Sequence, residues 1–423
     1  MGIVYNRSNQ SIFVFLCNCQ QGIERKNTMK LPSFVSDLSL PPMEYHQNLR
    51  HWSREMRDCA PIIWDDASAN WLVFRYDEIA RVSSDYKVFS SEHTVIGSPQ
   101  DNHSPSLIEM DPPQHQRMRS RLTQAFSART IAQMEGQIAQ IVDTLLEKIL
   151  DDGTTCDWVA ELANPLPVIV IANMLGLPAE NWQQFKSWTD AIINKSQEQS
   201  QASERFSKYF DQAIEARREH PDSDILSLLI ASEVDGEHLS HDELISFCFT
   251  LFIAGNITTT NMLGNMVLVF DKFPQELERL RRRPELAASA VEEILRYMPP
   301  FRAGPNDFIE GRVAKSDVVL CDQLVHAGEQ VQVNRLSANF DERQFPDPEL
   351  LDIGRNPNRH QSFGHGVHFC LGAPLARLEL RVALERIIQK FRSLHVVPDA
   401  TLKQAPSTVI FGVQNLPVTF QPA

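Results

Sequence analysis

Phe363-Gly-His-Gly-Val-His-Phe-Cys-Leu-Gly372, followed at once by Ala-Pro-Leu-Ala-Arg-Leu-Glu379, is the stretch on which the reading of this chain turns. Pro374 suits the first turn of a helix, where a missing N–H is no loss. Cys370 therefore stands just ahead of a helix N-terminus. Unpaired backbone N–H groups and the positive end of the helix dipole favour a thiolate there. Gly364, Gly366 and Gly372 allow sharp turns and let the backbone approach a flat ligand. A buried cysteine in a glycine-rich loop is the plainer alternative.

The pattern Phe-x-x-Gly-x-His-x-Cys-x-Gly resembles the haem loop of the cytochromes P-450. The likeness runs through further motifs in the family's order, from roughly residue 60 to 420. Glu293-Ile-Leu-Arg296 resembles the Glu-x-x-Arg motif, two side chains on one helix face that can pair. Arg355 and His360 are candidates for a third partner, and Leu350 stands where many relatives carry arginine. Asp111-Pro-Pro-Gln-His115-Gln-Arg-Met-Arg119 resembles a signature whose basic residues meet the haem propionates. His115 and Arg119, four apart, point the same way. Arg312 and His368 are matching candidates, and together the four would supply the cations a buried dianionic macrocycle requires.

Ala254-Gly255-Asn256-Ile257-Thr258-Thr259 resembles the family's oxygen-binding motif, Ala-Gly-x-Glu/Asp-Thr. A glycine there weakens a helix by about 1 kcal/mol relative to alanine and lets it open. Thr258 could donate to dioxygen and help protons arrive, or simply bond back to the preceding turn. Ile257 departs from the pattern by replacing the usual acid. Ordered water, Asn256 or a substrate hydroxyl would then have to substitute.

The resemblance implies a mainly α fold with a smaller β region, the cytochrome P-450 fold, with a long central helix over a buried haem. It implies haem b with Cys370 as axial thiolate, lined by Phe363, Gly364 and Gly372. It implies a monooxygenase that inserts one atom of dioxygen into a small organic substrate. Electrons would come from NAD(P)H through a separate ferredoxin and ferredoxin reductase. Two other classes are a peroxide-dependent peroxygenase or isomerase and a non-catalytic haem sensor.

Composition agrees. The chain has 423 residues, 43% hydrophobic, and a net charge of −14, which argues against a nucleic-acid binder. Arg281-Arg282-Arg283 reads as a solvated helix end. Of seven cysteines, Cys59, Cys156, Cys248, Cys321 and Cys370 are far apart and no Cys-x-x-Cys pair exists, which fits a reducing cytoplasm. The apolar run at 12–17 is too short to cross a bilayer. Residues 1–28 read as a disordered extension or a mis-called start, and 29–423 as one domain without membrane insertion.

Along the chain, 61–74 reads as a β-hairpin, Tyr76–Ser84 as a short helix and 89–109 as a long loop. Helices are expected at 129–151, 165–175, 240–270, 284–297 and 374–391. The longest opens with a capping box, Ser240 and Glu243, and ends before Pro274. Its middle, 247–257, is apolar on nearly every face and should be buried all round. Short strands are expected at 313–333 and irregular chain at 334–360. Pocket candidates are 89–107, 185–199, 249–257, 300–306 and 410–413. The long stretch 298–311 either shapes a substrate entrance through Phe301, Arg302 and Asp307 or is a plain loop insertion.

Overall fold

A computed structural model of the chain describes residues 28–92, 107–123, 126–193, 197–234, 236–302 and 311–423. The expected extension lies outside the described residues except for Thr28, which pairs with Trp64 beside the first hairpin. In chain order the helices are α1 (Pro42–Cys59), α2 (Tyr76–Ser84), α3 (Gln114–Thr123), α4 (Ala128–Gln133), α5 (Glu135–Asp151), α6 (Pro165–Met174) and α7 (Trp182–Ile193). Then come α8 (Gln199–Glu219), α9 (Ile225–Ala231), α10 (His241–Lys272), α11 (Pro274–Arg282), α12 (Ala287–Tyr297), α13 (Arg335–Asn339) and α14 (Ala373–Lys390).

The expected helix at 129–151 is interrupted at Met134, which ends α4 and precedes α5 while keeping right-handed dihedrals. Gly136 stands two residues beyond Met134, in the first turn of α5. The hairpin forms as expected, with Ile62 opposite Val73. Its second strand continues in parallel to Gln330–Val333, which pairs with Arg312–Ala314, and that strand with Phe89–Ser90. Phe89–Ser90 is thus a strand where a loop was expected. Residues 93–106 of that loop lie outside the described residues.

The capping box of α10 is present: the Ser240 hydroxyl accepts from the Glu243 N–H, and the Glu243 carboxylate from the Ser240 N–H at 2.8 Å. Its 32 residues make about 48 Å of helix. Among the described residues only α10 combines the length and apolarity a bilayer span needs. In the fold it is the central core helix, against α6, α8, α12 and α14.

The burial of α10 is the reverse of expectation. Residues 259–270 are buried on every face, whereas 249–251 are only half-buried and Ala254 is exposed. Met266, Val267 and Phe270 meet Leu384 and Ile387 of α14 and Leu394 beyond it. Around Ala254 the helix is covered on one side only, by α6 and α7. An apolar run alone does not tell a core face from a face left open for a ligand.

The irregular 334–360 segment is pinned by the Glu293–Arg296 pair on α12. Both residues are fully buried, and the guanidinium meets the carboxylate at 2.8 Å through Nε and Nη2. Arg296 also donates to the carbonyls of Asn339 and Pro348 at 3.0 and 2.9 Å. Glu293 accepts from the Asp352 N–H, the Asn358 amide and Arg355 Nε. Arg355 is therefore the third partner. His360 pairs instead with Glu292, which Arg377 also grips. Leu350 contributes its carbonyl, which accepts from both Arg296 and Arg355, while its side chain is exposed.

Arg296→Met would leave the Glu293 carboxylate facing Arg355 alone from one side. It should destabilise the fold by roughly 3–5 kcal/mol, read as a fall in the denaturant midpoint. Burial alone would raise the Glu292 carboxyl, but the hydrogen bonds and charges of His360 and Arg377 outweigh it and hold it down to about 2. The folded value lies below the ordinary 4.5. The pair therefore stabilises the fold above about pH 4.5, and that stabilisation is lost as pH falls toward 2. Glu292→Gln should lose stability at neutral pH and show a flatter stability–pH curve between those values.

Candidate active site

The loop that opens α14 is built on backbone constraints. The Cys370 N–H donates to the Phe363 carbonyl at 2.8 Å, closing the turn. Gly366 has φ +71, and a Cβ there would lie 2.6 Å from the Ser84 Cα and 2.9 Å from the Ser83 carbonyl. Only glycine lets the loop rest on the end of α2. Gly364 also has φ +75. Gly372 is the N-cap of α14 with φ −81, and a Cβ there would meet nothing within 4 Å. The sharp turns expected of three glycines are thus required at two. Phe363 lies under the Arg377 guanidinium, 4.5 Å from the ring centre.

Cys370 carries accessible surface, yet so much protein surrounds it that burial is the main influence on its thiol, pushing the pKa up. The residue is thus accessible although protein closes around its thiol. The backbone N–H groups of Gly372 and Ala373 and the charges of Arg335 and Arg119 pull the other way. The expected thiolate-favouring helix terminus is present, but without a cation at the sulfur it loses to desolvation.

His115, Arg119, Arg312 and His368 converge beside this loop, although they come from α3, the five-stranded sheet and the loop itself. The His115 and His368 rings are 4.3 Å apart. His368 feels the charges of Arg312 and Arg119. Arg119 Nη2 donates to the Phe369 carbonyl at 2.7 Å, next to Cys370. Burial first, then neighbouring cations, lower His115 to about 4 and His368 to about 3. In the chain by itself the positive charge is therefore Arg119 and Arg312, and the histidines offer neutral N–H groups. Both His115 ring nitrogens are buried without a hydrogen-bond partner. Such a cost is tolerated where an acceptor is to be bound. An accessible cysteine, the unpartnered His115 imidazole, His368 and two arginines are the donor set an anionic iron macrocycle needs, so the residues fit haem.

On α10 the oxygen-motif residues divide. Thr258 Oγ1 donates to the Ala254 carbonyl at 2.8 Å, the back-bonded alternative. Gly255 sits against α6, where a Cβ would fall 2.6 Å from Ile171 Cδ1. Its need is close packing. Asn256 is fully buried and turned to the opposite side, donating to Thr189 Oγ1 at 3.1 Å and accepting from Thr260 at 3.2 Å. It is not placed to stand in for the acid that Ile257 replaces. Among the pocket candidates, 410–413 lies on α10, with Gly412 directly over the Asn261 amide. Phe185 instead packs into an aromatic core with Tyr209 and Phe252 at 5.2 and 5.1 Å.

Arg302 does not face an entrance. It is buried, donating to the Ile410 carbonyl at 3.0 Å and Gln404 at 2.6 Å, with its guanidinium over Tyr45. Asp307 lies outside the described residues. Sequence reading missed Ser91, Lys315 and Arg335, and gave no role to Asp111. Asp111 accepts from the Ser90 hydroxyl, the Ser91 N–H and Lys315 at 2.7, 2.9 and 2.6 Å. Its buried position just before Pro112 was the one local signal.

The cytochrome P450 family model matches residues 162–421. The putative cytochrome P450 YjiB of Bacillus subtilis (strain 168) is 38% identical over 87% of this chain and 92% of its own length. The erythromycin C-12 hydroxylase of Saccharopolyspora erythraea is 35% identical over 90% of this chain and 96% of its own. Among solved structures, CYP109E1 from Bacillus megaterium in complex with testosterone superposes with a TM-score of 0.79 at 37% identity, covering 88% of this chain and 98% of that one. CYP109Q5 from Chondromyces apiculatus gives 0.82 at 34% identity, over 92% and 99%. With the helical fold, the long core helix and the cysteine loop already in view, these similarities agree: the chain belongs to the cytochrome P450 family, a haem b monooxygenase with an axial cysteine thiolate.

Proposed function

We propose that Cys370 is the axial ligand and that His115, Arg119, Arg312 and His368 receive the haem propionates. The observation that carries this is the convergence of that cluster beside the accessible Cys370 loop, with both His115 ring nitrogens buried and unpartnered. Phe363, Gly364 and Gly372 shape the loop on the thiolate side, and residues 29–423 fold around it as one domain. Bound haem supplies dioxygen activation, which a thiolate ligand favours by donating electron density. The chain's part is to bind, orient and exclude water.

Ala254, Gly255 and Thr258 line the dioxygen side. Thr258 holds a proton at Oγ1, shared with the Ala254 carbonyl, and can pass it on when that exposed bond opens. Ile257 cannot hold a proton and Asn256 faces away, so ordered water or a substrate hydroxyl must reach Thr258.

The substrate is a bulky natural product, hydroxylated or epoxidised. Relatives named as the mycinamicin IV hydroxylase/epoxidase and the cyclomarin C epoxidase, and structures holding testosterone and corticosterone, support that class. A ferredoxin and its NAD(P)H-dependent reductase, in the cytoplasm, deliver electrons on the Cys370 side.

Two measurements test this. Product should form with ferredoxin, reductase and NAD(P)H; formation with peroxide but not with that chain would transfer the reading to a peroxygenase. Ile257→Glu should raise product formed per NAD(P)H several-fold, because it restores a proton carrier next to Thr258. No gain in rate or coupling would mean that the missing acid does not limit turnover.

A further inference from the structure

Ser91 lies two residues beyond the start of the Phe89–Ser90 strand and is buried, with about 1% of its surface exposed. Its hydroxyl is 2.9 Å from His368 Nε2. Its N–H donates to Asp111 Oδ1 at 2.9 Å, while the Ser90 hydroxyl and Lys315 occupy Oδ2 at 2.7 and 2.6 Å. The Asp111 carboxylate is thus already engaged by three donors. Ser91 is closed off from solvent and its Oγ makes no hydrogen bond to either Asp111 oxygen, so among the described residues Nε2 of His368 is the acceptor in reach of its proton. An imidazole whose Nε2 accepts carries its proton on Nδ1. Among the described residues His368 Nδ1 has no partner. The opposite tautomer would present a lone pair there, facing any carboxylate brought beside it.

We propose that Ser91, clamped by Asp111, is a positioning residue that fixes His368 in the Nδ1–H tautomer, so that the ring donates to a haem propionate. The inference rests on the reading of His368 as a propionate partner. Asp111 thereby ties the strand, α3 and the residue after Arg312–Ala314 to the haem loop through one carboxylate.

The test uses holoenzyme with selectively 15N-labelled histidine, in the diamagnetic ferrous carbon monoxide form, with the His368 resonances assigned by loss in His368→Gln. The expected wild-type pattern is a protonated Nδ1 and an unprotonated Nε2. Ser91→Ala should lose that pattern and release haem to apomyoglobin roughly tenfold faster, and Ser91→Thr, which keeps the hydroxyl, should restore both. A protonated Nε2 in the wild type, as either the other tautomer or the imidazolium, overturns the proposal without need of any variant. So does a Ser91→Ala protein with the wild-type pattern and haem release. If His368→Gln leaves haem release unchanged, the propionate reading itself fails and the inference with it. Faster release in His368→Gln with none in Ser91→Ala removes the inference alone.

Discussion

A thiolate closely surrounded by protein is a costly arrangement for a cysteine without a partner. Desolvation drives it toward the thiol, and two backbone N–H groups and two arginines do not fully offset that. A bound iron reverses the balance, because a coordinated thiol is held deprotonated. A coordinated metal cation supplies the charge that the arginines and backbone N–H groups leave short. The glycine at 366, resting on the backbone of α2, and the hydrogen bond from Cys370 to Phe363 keep the sulfur where such a cation must come.

The same logic separates the two other charged assemblies. Glu293 and Arg296 are buried together and satisfied on all sides, so their role is to fix the irregular segment that leads into the cysteine loop. His115, His368, Arg119 and Arg312 are gathered without matching acid except Asp111, whose oxygens are already committed to serines and a lysine. A cluster rich in cations and ring N–H groups beside a single acid is a receptor for an anion; a closed ion pair is scaffolding. The two also differ in depth: Glu293 and Arg296 are fully buried, whereas Arg119 and His368 are half-buried.

Much of this was legible in the sequence because it is local. The capping box at Ser240, the bounds of the Tyr76–Ser84 helix, the hairpin and the helix after Cys370 follow from residues within a few positions of one another. The cysteine loop, the Glu293–Arg296 pair and the basic residues of α3 were readable as motifs. What sequence could not supply was direction and distant company. Asn256 and Thr258 are two residues apart, yet face opposite sides of one helix toward different neighbours. Gly255 owes its place to Ile171, far away in the chain, and Arg302 turns inward to Gln404 and Tyr45. Ser91 and Lys315 enter the site only through tertiary contacts. The apolar run of α10 predicted uniform burial, because hydrophobicity records the absence of water without saying whether protein or a ligand excludes it.

The most direct measurement is the absorption spectrum of the reduced, carbon monoxide-bound protein, recorded for the wild type and for Cys370→Ser. The account requires the wild type to show the red-shifted Soret band that marks a thiolate opposite carbon monoxide, and the serine protein to lose it. A wild type without that band, or a serine variant that keeps it, would contradict the claim that Cys370 holds the iron.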